Sequence, residues 1–313
     1  MRAAVITSPG SAPEAAEFPE PAGDEQLSLV GAGIHQIVRS RAAGTHYSSE
    51  STYPLVPGID AVVRTSDGRL VYTAGPRTPW GTMAEHIATR LQIPLPDGTD
   101  PLAVAAGVNP GMSGWMPLVA RREAVGSLDT VLIVGATGMS GGMAVQAALA
   151  MGAERVVATG RNPHALARLA GFGATTVPLD TVPDALAHEL GQPEHLLVLD
   201  YVWGAPAEAT FAALERHGMD DDPTDISYVQ IGALAGATAA IPASLLRSRN
   251  IHIAGSGGGG TPFQTILEQI PHIIQAIADG TMEAPYTAYP LSRVTEAWAH
   301  TGPTRAVVTP DAE

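Results

Sequence analysis

The stretch VLIVGATGMSGG, residues 131–142, decides the fold class of the chain. Its apolar first half predicts a buried strand, and the following GGMAVQAALAMG predicts a helix. Between them, Gly135, Gly138 and Gly141 form a turn that lets the backbone approach a pyrophosphate, whose charge lies against the amides at the helix N-terminus. The turn therefore predicts a dinucleotide site. The alternative is a closely packed turn that binds nothing.

Alternating apolar strands and helices follow this turn. RVVATG, HLLVLDYV, SYVQIGA and IHIAGS are predicted strands, and NPHALARLAGFG, with Pro163 near its start, is a predicted helix. Such alternation predicts parallel βαβ units and a doubly wound sheet. A later helix, TPFQTILEQIPHIIQAIADG, is expected to be interrupted at Pro271, and RAVVTP is a predicted final strand.

The chain up to about residue 100 has a different pattern, in which short β-like runs are separated by turns. Asp67-Gly68 between two apolar runs is a two-residue hairpin signal. This part predicts an antiparallel, barrel-like domain.

Composition excludes several classes of partner and chemistry. The 313 residues carry a net charge of −14, which argues against nucleic acid or an anionic membrane as a partner. No apolar run is long enough to span a bilayer, and MRAAVITSPGSAPE lacks the features of a signal peptide, so a cytoplasmic location is expected. The absence of cysteine and lysine excludes thiolate metal sites, disulfides and Schiff-base chemistry.

The second predicted strand indicates which nucleotide binds. It ends in Gly160, Arg161 and Asn162, without the carboxylate that would bind the ribose hydroxyls of NAD. An arginine at this point can stack on adenine and pair with a 2′-phosphate, which predicts NADPH. The alternative is an exposed arginine that leads into the next helix.

Five motifs in order along the chain resemble the medium-chain dehydrogenase/reductase superfamily, and within it the zinc-free quinone oxidoreductase branch. They are YPLVPGIDAVV (53–63), GTMAEHI (81–87), VLIVGATGMSGGMAVQAALAMGA (131–153), VLDYVWG (198–204) and IAGSGGG (253–259). The turn GATGMSG is also similar to that of the atypical short-chain dehydrogenases. Their turn opens the chain, however, and their catalytic pair includes a lysine.

The resemblance implies an α/β fold in which a Rossmann-type doubly wound parallel sheet is inserted between two parts of an antiparallel β-barrel-like, GroES-like domain. We expect residues 1–103 and 259–313 to form the substrate domain and 104–258 the NADP-binding domain. The resemblance also implies a homodimer, for which IHIAG could supply a strand that pairs across a two-fold axis.

The resemblance further implies a reaction without a metal. Zinc-dependent members carry Gly-His-Glu where this chain has Gly58, Ile59 and Asp60, and they use a cysteine upstream. The expected reaction is hydride transfer from NADPH to a quinone or an α,β-unsaturated carbonyl compound, in which the protein orients the reactants and stabilises oxyanion charge. Two alternatives are a ketone/alcohol oxidoreductase and a cofactor-binding relative without turnover.

Hydrogen-bond donors for a substrate carbonyl are densest in HQIVRSRAAGTHYSSESTY, residues 35–53. Tyr47 is the first candidate, with His46 and Arg39 as alternatives. Relatives have an asparagine-aspartate pair where this chain has His35-Gln36, and this difference keeps a non-catalytic role open. Ser113, in GVNPGMSGWMPL (107–118), is a further candidate. The competing interpretation of residues 35–53 is a solvated loop. For residues 107–118 it is packing in the domain core.

The remaining cofactor contacts are expected beyond the carboxyl ends of the parallel strands. The predicted set comprises Gly135, Thr137, Gly138, Met139 and Ser140 in the glycine turn, Gly160, Arg161 and Asn162 after the second strand, and Tyr201, Trp203, Ile231, Gly232, Gly255, Ser256 and Gly257 after the later strands.

Overall fold

A computed structural model describes residues 1–22, 27–49, 52–180, 183–216, 218 and 223–312. The chain divides into two compact units. Residues Met1–Pro110 and Pro271–Glu313 form the first, which we call the β unit, and Gly111–Ile270 form the second, the nucleotide unit.

The strands are β1 (Arg2–Val5), β2 (Glu14–Glu17), β3 (Leu27–Gly33), β4 (Asp60–Arg64), β5 (Leu70–Ala74), β6 (His86–Ile87), β7 (Ile93–Pro94), β8 (Thr130–Val134), β9 (Arg155–Gly160), β10 (Thr175–Pro178), β11 (His195–Asp200), β12 (Asp225–Gln230), β13 (Asn250–Gly255), β14 (Tyr286–Pro290) and β15 (Arg305–Thr309). The α-helices are α1 (Gln36–Ala42), α2 (Pro101–Val125), α3 (Met139–Ala150), α4 (Pro163–Gly171), α5 (Pro183–Leu190), α6 (Gly204–Leu214), α7 (Ala243–Ser248), α8 (Phe263–Ala278) and α9 (Val294–Ala299).

The nucleotide unit contains a six-stranded sheet in the order β10-β9-β8-β11-β12-β13, and every pair in it is parallel. The central strands are continuous apolar runs because a sheet covered on both faces buries every side chain of its middle strands. The strand order reverses between β8 and β11, and ligands of such sheets lie in the crevice at this switch point. The predicted doubly wound fold is confirmed.

The β unit is built on a seven-strand assembly in which β14, β15, β3, β4, β5 and β7 follow one another and β6 pairs with β3. A hairpin forms at Asp67-Gly68 as predicted, since β4 and β5 pair across it and Gly68 has a φ of 89°. Its loop is longer than the two residues expected, because the amide of Thr65 donates to the carbonyl of Arg69 and three residues lie between them. The sheet is not wholly antiparallel as expected, because β14 runs parallel to β15. The inner faces of β1, β3 and β4 pack with α9 in one apolar core.

Two helices differ from expectation. The sequence prediction places a break at Pro271, but α8 continues through this residue. Residues 107–118, considered only as a cluster of candidate side chains, lie inside α2, a helix of 25 residues that contains Pro110 and Pro117. The boundaries between the units fall inside α2 and α8.

Candidate nucleotide site and polar loop

Two glycines of the turn between β8 and α3 are required by the fold itself. Gly135 has a φ of 90°, a backbone conformation that favours glycine. A Cβ on Gly141 would lie 2.6 Å from the carbonyl oxygen of Gly135, so only glycine lets the helix pack this closely on the turn. The amides of Gly135 and Ala136 donate to the carbonyl of Thr159 at 3.1 and 2.7 Å, which fastens the turn to β9.

The third glycine, Gly138, is not explained by packing. Its φ is −81°, and the nearest atom to a Cβ placed there would be 3.8 Å away. Gly138 is the N-cap residue of α3, and no side chain caps this helix. The amides of Met139 and Ser140 have no acceptor in the described part of the chain. Open space beside unpaired amides is the arrangement that accepts a phosphate.

The end of β9 lies against the glycine turn. A Cβ on Gly160 would collide with the side chain of Thr137, so these two residues are in direct van der Waals contact. Arg161 follows and is exposed, and its guanidinium has no partner among the described residues. Asn162 has a different role, because its side-chain oxygen caps α4 by accepting from the amides of His164 and Ala165 at 3.0 and 3.1 Å.

The turn after β11 contains a residue that the sequence prediction missed. Asp200 is fully buried, and its Oδ1 accepts from the amides of Val202 and Trp203 at 2.8 and 2.9 Å. The Tyr228 hydroxyl donates to its Oδ2 at 2.6 Å. An acidic residue that ends an apolar strand, as in HLLVLD, is a signal that could have found it.

Trp203 has a strained backbone, with φ 56° and ψ −161°. It is the one non-glycine residue with positive φ in the described part of the chain. This region of conformational space is almost restricted to glycine, and occupying it costs about 1–3 kcal/mol. The neighbouring Tyr201 is buried, and its hydroxyl accepts from Ser113 Oγ at 3.2 Å. Burial raises the pKa of this phenol.

The ends of β12 and β13 are joined to β11 at the same edge of the sheet. The amides of Ile231 and Gly232 donate to the carbonyl of Asp200 at 2.7 and 3.1 Å. The Gln230 side chain donates to the carbonyl of Gly232, and the Ser256 amide donates to the carbonyl of Gln230, both at 2.8 Å. The predicted cofactor residues after β8, β9, β11, β12 and β13 thus lie at the carboxyl edge of one parallel sheet.

The residues of the second predicted cluster lie in α2 and differ in what they contact. Trp115 donates through Nε1 to Gln269 Oε1 at 3.0 Å, and Met116 is buried. Trp115 is thus bonded to α8, and Met116 is one of the buried apolar residues. Ser113 contacts the switch-point turn through a hydrogen bond to the Tyr201 hydroxyl, and Gly114 lies close to the same hydroxyl.

The polar loop of the β unit, which we define as residues 43–49, carries two of the predicted donors. Tyr47 is 76% exposed, and its ring centroid lies 4.1 Å from that of His46. His46 Nδ1 lies 2.7 Å from Ser48 Oγ. Burial and then the charge of Arg41 lower the pKa of His46, which favours the neutral imidazole. Residues 50 and 51 of the predicted donor stretch lie outside the described residues.

Arg39 and His35 are engaged inside the β unit. The Arg39 guanidinium donates to the carbonyl of Trp298 and lies 5.1 Å from the centre of its ring, and burial lowers the pKa of Arg39. His35, where the chain departs from its relatives, is buried with Nε2 3.3 Å from Asp60 Oδ1. Asp60 also accepts from the Tyr72 hydroxyl at 3.0 Å.

In the segment 58–60, Ile59 stands where the resemblance places the histidine of zinc-dependent members. Ile59 is partly buried against the core of the β unit, together with Trp80. These two residues, Val38 and Arg41 line a cavity of about 50 Å³ between α1 and the segments 55–59 and 76–81. The described residues contain no group of three His, Asp or Glu side chains placed to hold a metal ion.

Comparisons with known proteins agree with this architecture. Residues 141–275 match the model of the zinc-binding dehydrogenase family. A probable NADPH-dependent quinone reductase of Emericella nidulans is 27% identical, with 93% of this chain and 94% of that protein covered. The quinone oxidoreductase of Thermus thermophilus, solved also in complex with NADPH, superposes with a TM-score of 0.78 at 25% identity, covering 99% of this chain and 100% of that one.

These matches agree with the resemblance to the medium-chain dehydrogenase/reductase superfamily. Both of these relatives are named as quinone reductases or quinone oxidoreductases. Escherichia coli K-12 YhdH, solved with bound NADPH, shares the fold at 18% identity and a TM-score of 0.72, with 99% and 100% of the two chains covered. Among the residues that the structure describes, no helix is both long and apolar enough to cross a membrane.

Proposed function

We propose that this chain is a medium-chain dehydrogenase/reductase, and that it transfers hydride from NADPH to a quinone or an α,β-unsaturated carbonyl compound without a metal. The observation that carries the proposal is the anion-binding geometry at the start of α3. There Gly138 leaves space that packing does not require, and the amides of Met139 and Ser140 have no acceptor in the described part of the chain.

Arg161 supports NADPH as the cofactor. Its guanidinium is exposed and unpaired among the described residues, directly after the strand whose end binds the adenosine ribose in folds of this type. An arginine fork matches a phosphate in two hydrogen bonds, which gives preference for a 2′-phosphate over a ribose hydroxyl. The relative from Emericella nidulans is named as NADPH-dependent, and the Thermus thermophilus enzyme was solved with NADPH.

The residues of the chain bind and orient the reactants. The cofactor supplies the hydride when it is bound. The backbone of the glycine turn holds the pyrophosphate, and Ser113 and the strand ends after β11, β12 and β13 border the nicotinamide end. Tyr47 is the proposed donor to the substrate carbonyl because its hydroxyl is exposed and unengaged among the described residues. His46 is the second candidate, while Arg39 is already committed to Trp298.

The metal-free part of the proposal rests on side-chain chemistry. The sequence contains no cysteine, and an isoleucine packed among apolar groups stands where zinc-dependent relatives have a histidine ligand. We expect the purified enzyme to contain less than about one zinc ion per ten chains by elemental analysis and to keep its activity in a strong chelator. Stoichiometric zinc whose removal abolishes turnover would contradict this part alone.

The deciding experiment is a screen of NADPH oxidation against quinones, enones, and saturated ketones, with product analysis. Quinone or enone reduction, leaving the enone carbonyl intact, supports the proposal. Alcohol formation from saturated ketones would instead support a ketone/alcohol oxidoreductase. Tight NADPH binding without oxidation by any acceptor would indicate a cofactor-binding relative that has lost turnover.

The donor role of Tyr47 is tested by Tyr47→Phe. Loss of a hydrogen bond to developing oxyanion charge should lower kcat/KM about 10- to 100-fold for the best acceptor, with NADPH affinity unchanged. Tyr53→Phe is the matched control from the same region, because its hydroxyl donates to the carbonyl of Ala42 at 2.8 Å. Unchanged kcat/KM in Tyr47→Phe would refute the assignment.

We also propose that the chain forms a homodimer through β13. This strand ends the sheet order and pairs only with β12 among the described strands. Leu246 of the preceding helix α7 is 52% exposed, and Ile251 and Ile253 of β13 are only partly buried. A free edge with apolar neighbours favours pairing with a second copy across a two-fold axis.

A further inference from the structure

Asp200 is a fully buried carboxylate that the proposed reaction does not use. A charge removed from water persists only where hydrogen-bond donors replace its hydration. Here the amides of Val202 and Trp203 serve one oxygen and the Tyr228 hydroxyl serves the other, at 2.8, 2.9 and 2.6 Å. This single side chain therefore fixes the turn after β11 to the interior of β12.

The turn that Asp200 fixes is the strained one. Trp203 is held at φ 56° by the hydrogen bond from its amide to Asp200 and by the packing of its ring. The indole lies edge-on to Phe211 and Tyr228, with centroids 5.9 and 6.3 Å apart. Tyr228 thus supports the turn twice, through its ring and through its hydroxyl. Strain that a structure maintains in this way is concentrated at functional sites.

The position of the turn connects it to the nucleotide crevice. A Cβ on Gly135 would lie 2.7 Å from Val202 Cγ1, so the turn packs directly on the first glycine of the phosphate-binding loop. On its other side, a Cβ on Gly232 would collide with the carbonyl oxygen of Tyr201. A shift of this turn would therefore move the residues that border the crevice on both sides of the switch point.

We propose that Asp200 and Tyr228 form a positioning pair that holds the turn of residues 201–203 in the conformation that receives the cofactor. This role for the pair depends on the proposed NADPH site. Both side chains are buried and act through the backbone they hold, so neither is a catalytic residue. Burial, followed by the charge of Asp200, raises the pKa of Tyr228, and the phenol keeps the proton that it donates.

Tyr228→Phe tests the pair because it keeps the aromatic ring and removes the donor. We expect the Kd for NADPH to rise about tenfold, the scale of one lost hydrogen bond, together with a lower Tm. Tyr72→Phe is the matched control, since Tyr72 is also fully buried and donates to a buried carboxylate, Asp60, at 3.0 Å, but lies in the β unit. It should lower Tm and leave the Kd for NADPH within about twofold of the wild type.

The outcomes separate three cases. If Tyr228→Phe raises the Kd for NADPH and Tyr72→Phe does not, the positioning role is supported. If both variants lower Tm and neither changes the Kd for NADPH, Asp200 and Tyr228 only stabilise the fold and the positioning role is overturned. If the wild-type chain does not bind NADPH at all, the proposed function fails and the positioning role fails with it.

If Tyr228→Phe does not fold, Asp200→Asn is the second variant that tests the positioning role. It keeps an oxygen for the two amides while changing the group that faces the Tyr228 hydroxyl. It should also raise the Kd for NADPH, and a wild-type Kd would overturn the positioning role.

Discussion

Gly138 and Gly141 differ in what requires them, although both belong to one glycine turn. We expect Gly141→Ala to lower the free energy of unfolding by about 1–3 kcal/mol, because its Cβ would press on the carbonyl of Gly135. Gly138→Ala should change this free energy by less than about 0.5 kcal/mol and still weaken NADPH binding, since its methyl occupies the space proposed for the pyrophosphate. Denaturant unfolding and NADPH titration of both variants measure the difference. Wild-type affinity in Gly138→Ala would refute the placement of the pyrophosphate.

We expect Arg161 to determine cofactor choice in the proposed site. Arg161→Ala should raise the Kd for NADPH about 10- to 100-fold and leave the Kd for NADH nearly unchanged, because only NADPH carries the 2′-phosphate. Arg155→Ala is the control, since Arg155 begins the same strand at the opposite edge of the sheet and donates to the carbonyl of Glu189 at 2.9 Å. Equal losses for NADPH and NADH in Arg161→Ala would contradict a role in 2′-phosphate recognition.

At the residue scale, local motifs were predictable and long-range partners were not. The glycine turn and the position of Arg161 follow from a strand, a turn and a helix that are contiguous in sequence. Asp200 was missed because its role depends on a hydrogen bond from Tyr228, which lies 28 residues later on the neighbouring strand. The cap formed by Asn162 is a local signal that precedes Pro163, and it competes with the cofactor contact expected for the same side chain.

At the element scale, apolar strands between polar turns were predicted correctly, and α2 was not recognised. Pro110, Pro117 and three glycines interrupt the helical pattern of this segment, and these residues disfavour helix interiors. Tertiary packing overrides that preference. A Cβ on Gly114 would lie 2.6 Å from Ala144 Cβ and 2.8 Å from the Tyr201 hydroxyl, so α2 packs on α3 at a distance that only glycine allows.

The free edge of β13 allows a test of the dimer. The Ser256 amide bonds to β12, so the amide of Ile253, an odd number of residues away, points to the outer edge. Ile253→Pro should therefore keep the ladder to β12 while removing a donor needed by a partner strand. We expect a concentration-dependent shift from dimer to monomer in light scattering. Ile253→Ala loses the side chain and retains the donor, and it should remain dimeric. A monomeric wild-type chain would exclude the dimer.

At the scale of the whole molecule, stability should depend on acidic groups. The Thr65 hydroxyl and then Arg69 hold the pKa of Asp67 at about 2, below its ordinary 3.8. Hydrogen bonds and ion pairs also lower the pKa values of Glu20, Glu296 and Asp311. A carboxylate with a depressed pKa stabilises the fold fully above its unfolded pKa, and this contribution is lost as the pH falls through the folded value.

We therefore expect the free energy of unfolding to be nearly constant from pH 7 to about pH 5 and to fall below about pH 4. Urea unfolding across this range measures it. Thr65→Val should raise the pKa of Asp67, which NMR titration reports directly. A rise in stability on acidification would show instead that relief of the −14 net charge outweighs these local pairs.

The strained turn after β11 gives the chain an optical reporter. The four tryptophans divide equally between the units, with Trp115 and Trp203 in the nucleotide unit and Trp80 and Trp298 in the β unit. Reduced nicotinamide absorbs light at the wavelengths at which indole emits, so a cofactor held beside Trp203 should quench its fluorescence by energy transfer. Emission from the unlabelled protein can then follow the arrival of the cofactor in real time, and a Trp203→Phe variant would show how much of the signal originates at this turn.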